Sequence, residues 1–218
     1  VAAANTGRRA YNSPRRQQQA AATRRAILEA AERLFLREGY PATTMEAIAG
    51  EADVSLKTVY LPFSTKSGLL RALWDLRLKG DDGDAPVDEH EWFRDVLAES
   101  DPVRKLQRNA RNSRAAKTRI GGMFKVIRGA AEIDPDCRAL WELIQADFHA
   151  NQRTIVESIH RGGGLRRGLG VARATDMLWT LNHPDVWLLL VGECRWSPRA
   201  YETWLAQTSC AQLLGTPI

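Results

Sequence analysis

The sequence predicts an all-α chain in two parts, a small N-terminal helix-turn-helix unit and a larger helical domain. Three observations predict it. Apolar residues recur at i, i+3, i+4 and i+7 in window after window, the period of a helix with one buried face. Helix starts are marked by a capping residue followed by proline at Asp101-Pro102, Asp134-Pro135 and Ser197-Pro198. An acidic loop containing glycine and proline, Gly80 to His90, separates the two parts. The 218 residues allow one large or two small domains, and a hydrophobic content of 44% is enough for real cores.

Residues 1–22 are rich in Ala, Arg and Gln and read as a disordered basic arm. No acid occurs in the first 25 residues. Residues 1–80 carry 13 Lys and Arg against 7 Asp and Glu, whereas residues 81–218 carry 18 against 19. A positive excess confined to one end fits a polyanionic partner. The arm either reaches phosphates or the minor groove, or is a solubilising tail.

Thr23 to Glu38 is amphipathic, with Ile27, Ala30, Ala31, Leu34 and Phe35 in one stripe and Gly39 as its terminator. Thr43 or Thr44 then caps a short helix whose buried face is Met45, Ile48, Ala49 and Ala52, with Glu46 at capping-box distance from Thr43. Asp53 and Val54 make a turn. Ser55 caps a second short helix, Leu56 to Leu61, which turns Val59 inward and Lys57, Thr58 and Tyr60 outward. Pro62 disfavours its extension. Ser64 or Thr65 caps a third helix that begins with Lys66 and continues to Lys79. A short, polar helix on an apolar support suits the DNA major groove, where Ser, Thr and Lys reach base edges and phosphates.

Gly39-Tyr40, Thr43-Thr44, Ile48-Ala49, Ala52-Asp53-Val54-Ser55, Thr58-Val59-Tyr60, Phe63, Lys66 and Leu69-Leu70 keep an order and spacing that resemble the N-terminal domain of the TetR family of transcriptional regulators. The likeness covers about 50 residues. Two positions depart from the family pattern. Asp53 stands where glycine is usual, a tolerable substitute in a left-handed turn. Leu61-Pro62 replaces a pair that commonly touches the phosphate backbone in the family, so Leu61 meets a thymine methyl or nothing.

The resemblance implies a homodimeric, sequence-specific DNA-binding regulator, a repressor released by a small ligand. The implied domains are a helix-turn-helix domain with its linking helix over 23–79 and a regulatory and dimerisation domain over 80–218. The implied DNA contacts are Ser55 and Thr44 on phosphate, Leu56, Lys57 and Thr58 on bases, Tyr60 on backbone or a thymine methyl, and Lys66 on phosphate. Paired heads about 34–36 Å apart would read a palindromic double-stranded operator.

The second part continues as helices over 91–99, from Pro102 toward Lys117, 118–131, 136–160, 171–182, 184–196 and from Pro198 on. The polar run Arg108 to Arg114 weakens the second of these as a core helix. Gly162-Gly163-Gly164 reads as a turn, since no Walker lysine follows it. Wide apolar stripes over 177–191 exceed what one core needs and, with the resemblance, point to dimerisation through the last helices. The candidate ligand lining is Met123, Phe124, Ile127, Trp141, Phe148, Trp179, His183 and Trp187, with Asn109, Asn112, Arg114 and Asn151 as polar complement. Helix-spaced aromatics also build plain core. His183, at the break before Pro184, is either a ligand anchor or a junction residue bonding a free carbonyl.

The four histidines form no metal-binding spacing, Cys137, Cys194 and Cys210 are widely separated, and no nucleophile motif occurs. No cofactor, metal or catalytic residue is expected. No apolar run is long enough for a membrane span or a signal peptide, so a cytoplasmic protein is expected. The rival readings are an activator or ligand-independent regulator of the same fold, and a helical small-molecule carrier or enzyme.

Overall fold

The computed structural model describes residues 14–79 and 91–215. Its elements are α1 (Pro14–Ala42), α2 (Met45–Glu51), α3 (Leu56–Tyr60), α4 (Lys66–Lys79), α5 (Glu91–Ala98), α6 (Pro102–Ala131), α7 (Pro135–Arg161), α8 (Val171–Leu181), α9 (Pro184–Trp187) and α10 (Pro198–Leu214). Among the described residues every regular element is helical, as the periodicity predicts. The chain divides into two compact units, residues 1–69 and 70–218, with the division inside α4.

The first unit is built on α1. Ile27, Ala30, Ala31, Leu34 and Phe35 are buried, and Phe35 stacks on Tyr40 with ring centroids 5.7 Å apart. Each large side chain of such a core contributes about 1.5–3 kcal/mol by leaving water. Gly39, at φ 81°, breaks the helix where the sequence places its end. Thr44, not Thr43, caps α2, accepting from Ala47 N at 3.1 Å, and the Thr43–Glu46 box is therefore not the one used. Thr43 is buried and donates its hydroxyl to Gly39 O at 2.8 Å.

The arm expected over 1–22 needs one correction. Residues 1–13 lie outside the described set, but α1 already starts at Pro14. Proline suits a first helical turn, and the Arg, Gln and Ala residues behind it are strong helix formers. Low hydrophobicity alone pointed to disorder there, and local propensity prevails.

In the second unit α6 packs against α7 and α10, and α7 against α8. One core joins Phe93, Val96, Leu106, Ile155, Val156, Ile159, Leu178 and Leu213. A second joins Ala110, Trp187, Tyr201, Leu205 and Ala206. Gly121 makes the second possible, since a Cβ there would lie 2.8 Å from the Trp187 indole nitrogen. The expected break near Lys117 does not occur, and α6 is one helix of 30 residues. Its polar residues either face water or find buried partners. Nor is 184–196 one α-helix: after Trp187 the chain widens into a π-helical segment, Leu188–Glu193, with Cys194 N bonded to Leu189 O at 2.8 Å.

Candidate nucleic-acid interface and the buried centre of the second unit

The turn between α2 and α3 fixes how α3 is presented. Asp53 takes the left-handed conformation, φ 53°, in the position where the pattern favours glycine. Val54 N bonds to Ala49 O at 3.0 Å and closes the turn. Ser55 caps α3 by accepting from Thr58 N at 3.2 Å, and its hydroxyl also lies 2.8 Å from Thr58 Oγ1. Val59 and Phe63 are buried, anchoring the inner side of α3. The Arg24 guanidinium lies 4.4 Å from the Phe63 ring centroid and covers that anchor from α1. Lys57 and Tyr60 are exposed, and Leu56 and Thr58 are half-buried. Thr44 is exposed, with its hydroxyl serving as the α2 cap.

Lys66 departs from its expected role. Its ammonium donates to Tyr40 O at 2.7 Å and Thr43 O at 2.8 Å, and sits 4.2 Å from the Tyr40 ring centroid. These are carbonyls left free where α1 ends, and an ammonium suits them. Lys66 thus holds α4 against the end of α1, a role beside the phosphate contact expected of it. Hydrogen bonds to a charged group stabilise by about 1.5–3 kcal/mol.

The second unit holds a polar centre that the sequence reading missed. Lys117 is buried on α6, and its three N–H donors are shared among four oxygens: Ser113 Oγ at 2.8 Å, Asn182 O and Oδ1 at 2.5 Å each, and Tyr201 Oη at 2.8 Å. None of these acceptors is a carboxylate. Burial therefore holds the Lys117 ammonium well below its ordinary pKa. Burial likewise pushes the Tyr201 phenol up. Asn182 Nδ2 and Asn109 Nδ2 both reach Gln152 Oε1 at 3.4 Å and extend the network to α7. A signal did exist: Lys105, Asn109, Ser113 and Lys117 recur every four residues on one side of α6.

His183 is a junction residue, though not by bonding a carbonyl of the backbone. Its Nδ1 accepts from Asp185 N at 3.1 Å and so caps α9. Nε2 then carries the proton and donates to Gln145 Oε1 at 2.9 Å. Burial lowers its pKa, against an upward pull from Asp185, and Lys117 and Arg128 lower it further. The Trp179 ring meets His183 edge-on at 4.8 Å and His149 at 5.8 Å. Beside His183, Gln145 Nε2 and Trp179 Nε1 are buried donors without an acceptor.

The candidate ligand residues separate into several neighbourhoods. Phe124 packs on Trp74 at 5.3 Å, and Trp187 on Tyr201 at 4.9 Å. Met123 and Ile127 are fully buried core. Trp141 is half-buried, and the Phe148 ring lies 5.7 Å from the Lys117 ammonium. Arg114 pairs with Glu202, Asn112 donates to Trp92 O at 2.9 Å, and Asn151 is half-buried on α7. A polar cleft of about 430 Å³ lies elsewhere, between α5 and α6, with Trp92, Asp95, Arg104 and Arg108 in its walls. Among the described residues no group of three His, Cys, Asp or Glu is placed to hold a metal ion, and no helix is long and apolar enough to cross a membrane.

Comparison with known proteins agrees with this architecture. Residues 27–73 match the family model for bacterial regulatory proteins, tetR family. A probable HTH-type transcriptional regulator, ArpR of Pseudomonas putida, is 29% identical over 181 residues, 81% of this chain and 85% of that protein. The crystal structure of NalD, the secondary repressor of the MexAB-OprM multidrug efflux pump in Pseudomonas aeruginosa, superposes with a TM-score of 0.72 at 22% identity, covering 90% of this chain and 98% of that one. A SmeT–triclosan complex superposes with a TM-score of 0.70 at 18% identity, covering 88% and 92%.

Proposed function

We propose that the chain is a DNA-binding transcriptional regulator of the TetR family, and that it is a homodimeric repressor released from its operator by a small, partly apolar ligand. The observation that carries the DNA reading is α3: its inner side is anchored by Val59 and Phe63 while Lys57 and Tyr60 stand free. Leu56, Lys57 and Thr58 face the bases, Ser55 and Thr44 approach phosphates from their caps, and Tyr60 meets backbone or a thymine methyl.

A second copy of the chain is the partner of the last helices. Leu189 on the π-helical segment is 58% exposed and Trp196 is 36% exposed, apolar surface that association would cover. A two-fold pair of heads matches a palindromic operator. The ligand belongs near His183, where the Gln145 and Trp179 donors lack acceptors; an oxygen acceptor on an apolar body would satisfy them. That a fold neighbour was solved with triclosan fits this reading. The protein then works in the cytoplasm, beside the DNA it controls, and carries out no chemistry of its own.

The test is fluorescence anisotropy of the full chain on DNA from upstream of its own gene, against a scrambled duplex, across a salt series. Tight binding to the native duplex alone is expected. Weak, equal and steeply salt-dependent binding to both duplexes would count against a local operator. A reporter that rises on deletion of the gene separates repressor from activator.

A further inference from the structure

The two ends of the outward face of α3 differ in chemistry. The start is polar, with Ser55 and Lys57. The far end is apolar: Tyr60 is 44% exposed, Leu61 is 77% exposed and Pro62 is exposed beside them. Leu61 keeps helical geometry, at φ −59° and ψ −52°, and its N–H bonds to Lys57 O at 3.1 Å. It therefore stands one turn on from Lys57, on the same side of the helix. The next aromatic, Phe63, is turned into the core at 3% exposure. The apolar end is not a spill-over of that core.

Two polar groups near this end are already engaged. The Thr58 hydroxyl is shared with Ser55, and the Lys66 ammonium is held by Tyr40 O and Thr43 O. Against phosphate an exposed leucine gains nothing. In the major groove one base edge offers an apolar surface, the C5 methyl of thymine. The five residues of α3 span about 7.5 Å, so both ends of its face fit a groove about 12 Å wide.

We propose that Leu61, flanked by Tyr60 and Pro62, reads the C5 methyl of a thymine in each operator half-site. The position that lacks the usual pair of backbone contacts thus contributes base preference in their place. This rests on the reading of α3 as the helix that enters the groove.

The test begins by selecting duplexes from random DNA with the full-length protein. Each thymine of a selected half-site is then replaced by deoxyuridine, which removes only the methyl. Affinity of the unmodified protein should fall about fourfold at one thymine per half-site, the worth of one buried methyl. In Leu61→Ala that penalty should vanish while penalties at other thymines persist. In Leu61→Met, which keeps an apolar reach, it should remain. Selection of a clear operator with no thymine sensitive to the replacement would overturn the proposal alone, as would a penalty undiminished in Leu61→Ala. Failure to select any duplex would overturn the DNA reading itself and this proposal with it. At 77% exposure Leu61 has little part in folding, so loss of the fold is not expected in either variant.

Discussion

Lys66 in the head and Lys117 in the second unit are both removed from water in part or whole, yet their surroundings differ. Lys66 is half-buried and rests on carbonyls that the end of α1 leaves free, with the Tyr40 ring beneath it. It solves a local problem of helix termination. Lys117 is fully buried amid side chains and backbone of α6, the α8–α9 junction and α10, without a carboxylate. Buried charges are ordinarily paired with an opposite charge. The head therefore keeps its cations at helix ends and on the surface, where DNA can use those that stay free. The second unit places one where its protonation is coupled to packing.

Four results would break or sharpen this contrast. The largest effect is expected at the centre. Lys117→Ala leaves a void and strips Asn182, Tyr201 and Ser113 of a partner, and should lower unfolding stability by about 3–5 kcal/mol in denaturant titration. Lys117→Met, which refills the volume, should lose clearly less. Equal stability of wild type and Lys117→Ala would mean the network contributes little.

Next comes the clamp in the head. Lys66→Met should cost about 2 kcal/mol of head stability and leave the salt slope of DNA binding unchanged. A slope reduced by about one unit with no loss of stability would instead favour the phosphate role expected from the sequence.

The third test is pH. The folded pKa of Lys117 lies below its ordinary 10.5, so between those values the unfolded chain binds more protons than the folded one. Stability contributed by this group should rise with pH across that window and fall as pH drops. Tyr201, raised from its ordinary value, and Cys210, raised to about 11, act in the opposite sense once their unfolded forms ionise. The comparison is therefore made between about pH 7 and 8.5, with Lys117→Met as reference. Wild type should gain stability relative to that variant as pH rises; a flat difference would show that the folded amine keeps its proton throughout this range.

The smallest effect belongs to the turn. Asp53→Gly removes a side chain from a left-handed position, φ 53°, and should change stability by less than about 1 kcal/mol. DNA affinity should be unchanged. A larger loss would show that the Asp53 side chain has a role beyond tolerating its backbone angle.

How far the sequence is legible follows the same contrast. Features set by neighbours along the chain were readable: the Ser55 cap, the turn at Asp53, the break at Gly39, and the Asp-Pro and Ser-Pro starts of α6, α7 and α10. Thr43 and Thr44 could not be separated by pattern, because the choice depends on which hydroxyl the core buries. Features set by distant partners were not legible. Lys66 looks like a free cation until Tyr40 and Thr43 are beside it. Lys117 stands in the sequence only as the point where a helix is expected to end, until Asn182 and Tyr201 arrive from 65 and 84 residues away. Helical spacing leaves the aromatic residues open between a ligand lining and plain core; packing sets Phe124 on Trp74, Trp187 on Tyr201 and Trp179 beside His183.

The most direct test of the central claim compares wild type with Lys57→Ala on a selected duplex and on its scrambled counterpart, by anisotropy at one fixed salt concentration. Lys57 is exposed on α3 and lies away from the core, so the variant should fold as the wild type does. If α3 reads bases, wild type should favour the selected duplex at least about a hundredfold, and Lys57→Ala should shrink that ratio about tenfold. If both duplexes lose affinity equally and the ratio stands, Lys57 touches only the backbone, which contradicts its assignment to the bases.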